Sequence, residues 1–296
     1  MKLFKERNIL SFPPLVYLIL LFLIPTIIMI SISFRQPGGY GGVDPLVVNN
    51  HLNLTLDSYT FAFTSKFIWQ LFLRSIFYSL LTTFFCLIIG YPLALLIAKS
   101  AKKYRDILLL LVIIPFWSNF LIRVYAWMII MGPQWAVSKF INYFLALLGL
   151  DPINLLYSPI AVVICLIYIN LPFMILPLYA NLEKHDYTLI EASRDLGATK
   201  AKSFWQITVP LSLPGILAGS ALVFIPCIGM FVVPELVGNN CSLMIGNLIK
   251  QQFLQTMNWP LGSVTSIMMT LIVLTISIIV GKYAAKSGGL KYATRK

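Results

Sequence analysis

Ionisable side chains are rare inside the long apolar runs of this chain, and two that fall at or near the membrane interior are the first candidates for chemistry. Arg123 lies within IIPFWSNFLIRVYAW (113–127), and Glu235 ends an apolar run at FVVPELVG. A charge at the centre of a membrane-spanning helix costs about 2.5–3.5 kcal/mol on insertion scales. Arg123 therefore needs a counter-ion, water or an interface. A structural salt bridge to Glu235 is one solution. The alternative leaves the Glu235 carboxylate to a ligand and gives Arg123 the task of holding helix geometry.

Other chemistry is missing. The sequence has no G-x-x-x-x-G-K-[ST] loop to cradle nucleotide phosphates and no HExxH or GxSxG motif. No carboxylate pair sits within a span, as a proton relay would have. The cysteines Cys86, Cys165, Cys227 and Cys241 form no CxxC pair. They read as small buried hydrophobes rather than as a disulfide or zinc framework. His51 and His185 are far apart and lack partners at metal-ligand spacing. No metal site, catalytic residue or cofactor bound by this chain is expected.

The elements that must position these residues follow from composition. The chain has 296 residues, 59% hydrophobic and only 11% charged, with a formal charge of +12. Soluble domains carry about 25% charged residues. The basic residues lie in short segments between apolar runs and not in one patch among aromatic platforms, which argues against a nucleic-acid binder. Six membrane helices are expected at about 9–34, 68–98, 107–131, 157–180, 214–236 and 260–281. The fold class is an all-α integral membrane protein, with residues 1–296 as one transmembrane domain. The first helix is too long for a signal peptide and is followed by no A-x-A site. Pro25, Gly90 with Pro92, Pro172 with Pro177, and Pro226 with Gly229 can break or kink spans where a cavity or a neighbour satisfies the freed backbone.

Orientation follows from charge. If both termini face the cytoplasm, sixteen Lys and Arg residues lie inside and four outside, with Arg74 and Arg123 within spans. That asymmetry predicts a multi-pass membrane protein with both termini cytoplasmic. Residues 35–67 then form an outer loop. Its length of about 33 residues exceeds an ordinary connection, so it is either a plain connector or a binding element.

The same count places residues 181–213 in the cytoplasm, including EASRDLGATKAKSFWQITVP (191–210). Thr188-Leu-Ile-Glu191 fits a capping box that opens a short helix. Gly197 supplies the left-handed residue that ends it. Thr199 can cap a second helix, on which Ala201, Phe204, Trp205 and Thr208 share a face. Such a pair either rests on lipid as an interfacial element or meets another protein. Glu191 and Asp195 argue against anionic lipid.

The spacing E-A-S-x3-G-x9-I-x-V-P, at Glu191, Ala192, Ser193, Gly197, Ile207, Val209 and Pro210, resembles the EAA loop of ABC-importer permeases, usually written EAA-x3-G-x9-I-x-LP. Ser193 and Val209 are mild departures. IIPFWSNFLIRVYAW, LIYINLPFMILPLYANLEKHD (166–186) and MIGNLIKQQFLQTMNWPLGSVTS (244–266) extend the resemblance over nearly the whole chain, toward the PotB-type permeases of spermidine/putrescine importers. The resemblance implies the type I importer permease fold, called MetI-like. It implies that the loop is a coupling helix docking in a groove of an ATPase subunit, through Glu191, Ala192, Ser193, Gly197, Ile207 and Pro210. It implies a heterodimer with a second, PotC-type permease, two PotA-type ATPase subunits and an extracytoplasmic PotD-type polyamine-binding protein. ATP and Mg would be used by the ATPase, so this chain is a transporter subunit and not an enzyme.

A polyamine cargo gives the interior residues a use. Glu235 would accept a substrate ammonium near the outer gate. Trp117, Tyr125 and Tyr168 would offer ring faces to it, with Asn119 and Asn170 as polar supports and Arg123 as a structural intramembrane charge. The plainer reading makes these aromatics belt or packing residues. Alternative functions are a permease for iron, sulfate or molybdate, a self-sufficient carrier or channel, and a membrane scaffold.

Overall fold

The computed structural model describes residues 2–45, 47–48, 51–239 and 242–293. Cys241, Arg295 and Lys296 lie outside them. In chain order the helices are α1 (Lys2–Ser33), α2 (Asp57–Thr64), α3 (Lys66–Lys99), α4 (Lys102–Ile113), α5 (Phe120–Ile130), α6 (Ala136–Leu147), α7 (Pro159–Leu182), α8 (Thr188–Asp195), α9 (Lys200–Ser203), α10 (Val209–Ile228), α11 (Val232–Val237), α12 (Ile245–Leu254) and α13 (Trp259–Ala293). A two-residue antiparallel ladder pairs Val47 with Leu52 and Val48 with His51. Among the described residues, five helices are long and apolar enough to cross a membrane, or six if one bent pair counts as a span.

That bent pair corrects the expected continuous helix over 107–131. The chain turns by 90° between Lys102–Trp117 and Phe120–Ile130. Ser118 and Asn119 are both extended there. The Ser118 hydroxyl donates to the Pro115 carbonyl at 2.6 Å, and Asn119 Oδ1 accepts from the Leu121 amide at 2.8 Å. These local bonds satisfy backbone groups that a break would otherwise strand in lipid. The expected span 214–236 is likewise two helices. α10 stops at Ile228, and α11 starts after Phe231. The Asn247 amide donates to the freed Phe231 carbonyl at 2.9 Å. Gly246 lies so close to Gly229 that a Cβ would come within 2.5 Å of its carbonyl oxygen.

The described chain forms two compact units. The first comprises Met1–Trp69 with Leu248–Leu271, the second Gln70–Asn247 with Ile272–Lys296. In the first unit, only 6% of the Val16–Ser33 window of α1 is buried, so that helix presents its apolar surface outward. α2 docks on the end of α1. The Ser33 and Tyr59 hydroxyls lie 2.8 Å apart, and the Thr55 amide donates to the Phe34 carbonyl at 2.8 Å.

The second unit is built around α7, whose window is 56% buried. Its closest neighbour is α10. A Cβ on Gly219 would come within 2.9 Å of the Met174 sulfur, and one on Gly215 within 2.7 Å of Asn181 Cβ. Two glycines one turn apart thus let these backbones approach, as small residues do in membrane bundles. Met174, Ile175, Leu178 and Leu182 of α7 join Cys86, Tyr91 and Ala94 of α3 and Val223 of α10 in one buried cluster. A second cluster joins Val124, Cys165, Leu166, Cys227 and Val233, which fastens α11 to α5 and α7.

Candidate functional site

The segment after α7 folds as two short helices, α8 and α9, and returns through one π-helical turn, Phe204–Thr208, to α10. The expected capping box is not formed. Thr188 is already helical, and the residue before it is Tyr187. Asp186 starts the helix instead: its Oδ1 accepts from the Thr188 amide at 3.0 Å and from the Thr188 hydroxyl at 2.7 Å. Those two bonds, the hydroxyl's first and the amide's second, hold the Asp186 carboxyl below its ordinary value. A carboxylate two residues upstream of the expected cap captures the same amide, as aspartates do in turns.

The other end follows the sequence. Gly197 has φ +87°. Its amide donates to the Arg194 carbonyl at 2.9 Å, and the Ala198 amide to the Ser193 carbonyl at 3.0 Å. This is the Schellman arrangement, which places a glycine just past the helix. Thr199 Oγ1 accepts from the Lys202 amide at 3.3 Å and opens α9. The expected shared face of Ala201, Phe204, Trp205 and Thr208 is split. Ala201 and Trp205 are exposed, whereas Ser203 and Thr208 are buried and Phe204 is half-buried. The wider π turn rotates the later positions relative to α9.

Among the motif residues, Glu191, Ala192, Gly197 and Pro210 are exposed, and Ser193 and Ile207 are half-buried. Leu196 and Trp205, at 89% and 67% exposure, add apolar surface. Glu191, Arg194, Asp195, Thr199 and Lys200 line a shallow recess of about 450 Å³. The loop therefore offers a preformed, mixed apolar and charged surface.

Its root is held by residues that sequence reading passed over. Arg105 donates to Glu183 Oε1 at 2.6 Å and to the Ala98 carbonyl at 2.9 Å. One guanidinium thus ties the end of α3 and the start of α4 to the end of α7. Hydrogen bonds from Tyr179, and then from Arg105, hold the Glu183 carboxyl below its ordinary value. Phe204 packs edge-on against Tyr91 of α3 at 5.7 Å, and the Tyr91 hydroxyl meets Ser212 Oγ at 2.9 Å. Arg105 had been read only as a topology charge. Its position two residues before an apolar run gave no sign of a partner 78 residues away.

The structure brings the interior candidates only partly together. Arg123 is half-buried and stacks over the Phe116 ring, 4.7 Å from its centroid. Its Nε and Nη1 have no hydrogen-bond partner among the described residues. Glu235 is exposed on α11, which packs against α5 and α7. Trp117, 78% exposed, and Asn119 lie at the 90° bend. Tyr125 is exposed. Tyr168 packs edge-on against Trp127 at 5.3 Å, and Asn170 is buried and donates to the Leu166 carbonyl at 2.8 Å. Those last two contacts are packing and backbone contacts.

Apolar helices long enough to cross a membrane, two of them locked by glycines and joined through a surface helix pair, make this a multi-pass membrane-transport component. The chain belongs to the family described as binding-protein-dependent transport system inner membrane component, whose profile matches residues 90–283. It is 41% identical over 258 residues to the spermidine/putrescine transport system permease protein PotB of Escherichia coli, covering 86% of this chain and 90% of that one. Its fold matches a chain in the crystal structure of a bacterial ABC transporter involved in the import of the acidic polysaccharide alginate, with a TM-score of 0.64 and 20% identity over 97% of this chain and 99% of that one. It also matches an inward-facing MetNI methionine ABC transporter with a TM-score of 0.55 and 19% identity, over 76% of this chain and 99% of that one. The all-helical, MetI-like importer permease fold expected from the sequence is the fold observed.

Proposed function

We propose that this chain is the permease subunit of an ATP-driven importer that moves spermidine and putrescine into the cytoplasm by alternating access. The observation that carries the reading is the rigid surface pair α8–α9, rooted directly on the tightly packed α7 and α10. A surface held by a Schellman turn and a three-way arginine tie transmits a push without first absorbing it. The 41% identity to a spermidine/putrescine permease supplies the cargo class.

In this reading the loop and both termini are cytoplasmic, as the excess of basic residues there favours. The chain binds no cofactor of its own. ATP and Mg belong to two ATPase subunits, one of which receives α8 in its groove. A second, PotC-type permease completes the pathway, and a PotD-type binding protein delivers cargo from outside. Glu235 receives an ammonium group on the outer side, with Trp117 and Asn119 exposed at the bend before α5 and Tyr125 exposed on α5, the helix against which α11 packs.

The test is reconstitution of this chain with the three partner types in liposomes, with labelled spermidine and putrescine outside. Uptake that needs ATP and all four components supports the reading. Flux from this chain alone would make it a self-sufficient carrier. ATP-dependent uptake of sulfate, molybdate or iron, with none of polyamine, would overturn the cargo assignment.

A further inference from the structure

By its length, the segment after α1 is either a plain connector or a binding element. In the first unit it builds one wall of a cavity of about 860 Å³, within the size range of small-molecule sites. The opposite wall comes from the end of α12 and the turn into α13. That turn is fastened to the glycine-rich loop. The Gly42 amide donates to the Met257 carbonyl at 2.7 Å, and Gly42 bridges to Asn258. Met257 itself has φ +52°, a left-handed conformation that a non-glycine residue holds only when its surroundings impose it. At Gly41, φ +92°, a Cβ would come within 2.7 Å of Met257 Cβ. The rim is therefore a built structure.

Its lining has a distinct chemistry. In a chain with a formal charge of +12, Asp57 is the one charged residue among the described residues that lines this cavity. Its backbone amide donates to Thr55 Oγ1 at 3.1 Å, while its carboxylate is engaged by no hydrogen bond or ion pair among the described residues. Gln36, Gln251 and Gln252 bring side-chain amides to the same space, the Gln252 Oε1 also accepting from the Thr256 hydroxyl at 3.0 Å, and Phe61 and Phe67 bring exposed rings. A single carboxylate is a poor divalent-cation site, because such ions gather several hard oxygen ligands. One carboxylate with amide oxygens and ring faces suits an organic ammonium on an aliphatic chain.

We propose that this cavity is an outer entry subsite for aliphatic di- and polyammonium cargo. Asp57 receives one ammonium, the glutamine amides receive further N–H groups, and Phe61 and Phe67 cover the methylene chain. This deepens the polyamine-importer reading above and rests on it for the cargo class and for the side of the membrane. It places the first cargo contact of this chain before the spans.

The experiment uses the assembled transporter in intact spheroplasts, with Thr256→Cys as a reporter in a Cys241→Ser background. Labelling by a membrane-impermeant maleimide is followed with spermidine, with putrescine, with triethylene glycol and with Mg²⁺. At twice the dissociation constant, spermidine is expected to slow labelling about threefold, by simple occupancy. The neutral diol and Mg²⁺ leave the rate unchanged. Asp57→Asn abolishes the protection while its amine-free labelling rate stays the same, and Asp57→Glu restores it. Equal labelling with and without spermidine in the Asp57 protein overturns the subsite, as does equal protection by Mg²⁺ or the diol. Reporter cysteines that label only after the membrane is opened overturn it too. Normal uptake without protection removes the subsite and leaves the importer reading. Protection without polyamine uptake does the reverse.

Discussion

The hydroxyl oxygens of Ser193 and Ser203 lie 2.7 Å apart and tie α8 to α9. Ser193 also donates to the Ile190 carbonyl at 2.8 Å. A hydroxyl has one proton, so Ser203 must be the donor between the two. Ser203 is 2% exposed, whereas Ser193 is half-buried. The serine that replaces an alanine of the usual loop pattern is thus an internal fastener.

That asymmetry predicts unequal costs. Ser193→Ala strands a buried donor and is expected to destabilise the loop by about 1–3 kcal/mol, whereas Ser203→Ala leaves an acceptor that water can reach and costs about 0.5–1.5 kcal/mol. The double variant should cost less than the sum. Chymotryptic cleavage rates within the loop of the assembled complex measure all three. Additive effects would show that the two hydroxyls act independently.

Gly197 gives a second prediction. Open space surrounds its missing Cβ, so a substitution there is strained by backbone conformation and not by crowding. Gly197→Val should cost about 1–2 kcal/mol locally and lower the number of cargo molecules moved per ATP hydrolysed. Gly197→Asn, which tolerates the same conformation, should retain most of that ratio. An unchanged ratio in the valine variant at normal expression would separate the turn from coupling.

Acid should loosen the loop root. Glu183 and Asp186 both have carboxyls held below their ordinary values of 4.5 and 3.8. A depressed carboxyl stabilises the fold fully above the ordinary value, and that contribution is lost as pH falls through the depressed one. Pepsin cleavage near residues 183–196 should therefore accelerate as the pH drops below those values. Glu183→Gln and Asp186→Asn should each flatten the profile. Equally steep profiles in both variants would assign the acid sensitivity elsewhere.

The fourth prediction concerns the interior charges. Arg123 stacks on Phe116 and keeps two donor atoms without partners, so its charge does not depend on Glu235 for placement. Glu235→Gln should lower polyamine uptake several-fold at limiting cargo, and adding Arg123→Gln should not restore it. Full recovery in the double variant would make Glu235 a structural counter-ion.

Much of this architecture was legible because lipid imposes simple rules. The apolar runs gave α3 and α7 nearly whole and the apolar parts of α1 and α13, and glycine and threonine gave the turn between α8 and α9. The bend at Ser118-Asn119 was missed because both residues sit inside an apolar run and repair the break with their own side chains. The end of α10 was missed for a related reason. Pro226 and Gly229 signalled a break, but its repair by Asn247 comes from a residue distant in sequence. The capping box failed because the neighbouring Asp186 competes for the same amide. The Arg105–Glu183 tie and the cavity around Asp57 depend on segments that meet only in three dimensions, so no spacing along the chain could have shown them.

Gly215, where α10 admits no Cβ against Asn181, lies just after the loop returns to the membrane, and Asn181 just before it leaves. The pinch therefore sits at the fulcrum. A compliant joint there would dissipate a stroke as local deformation, like slack in a linkage. Two elements pressed together at that point leave almost no play, so in the importer reading a displacement of the loop would reach α7 and α10 as one movement. A bulkier side chain at Gly215 would act like a shim in a bearing: loop and spans would each survive, but their motions would fall out of step.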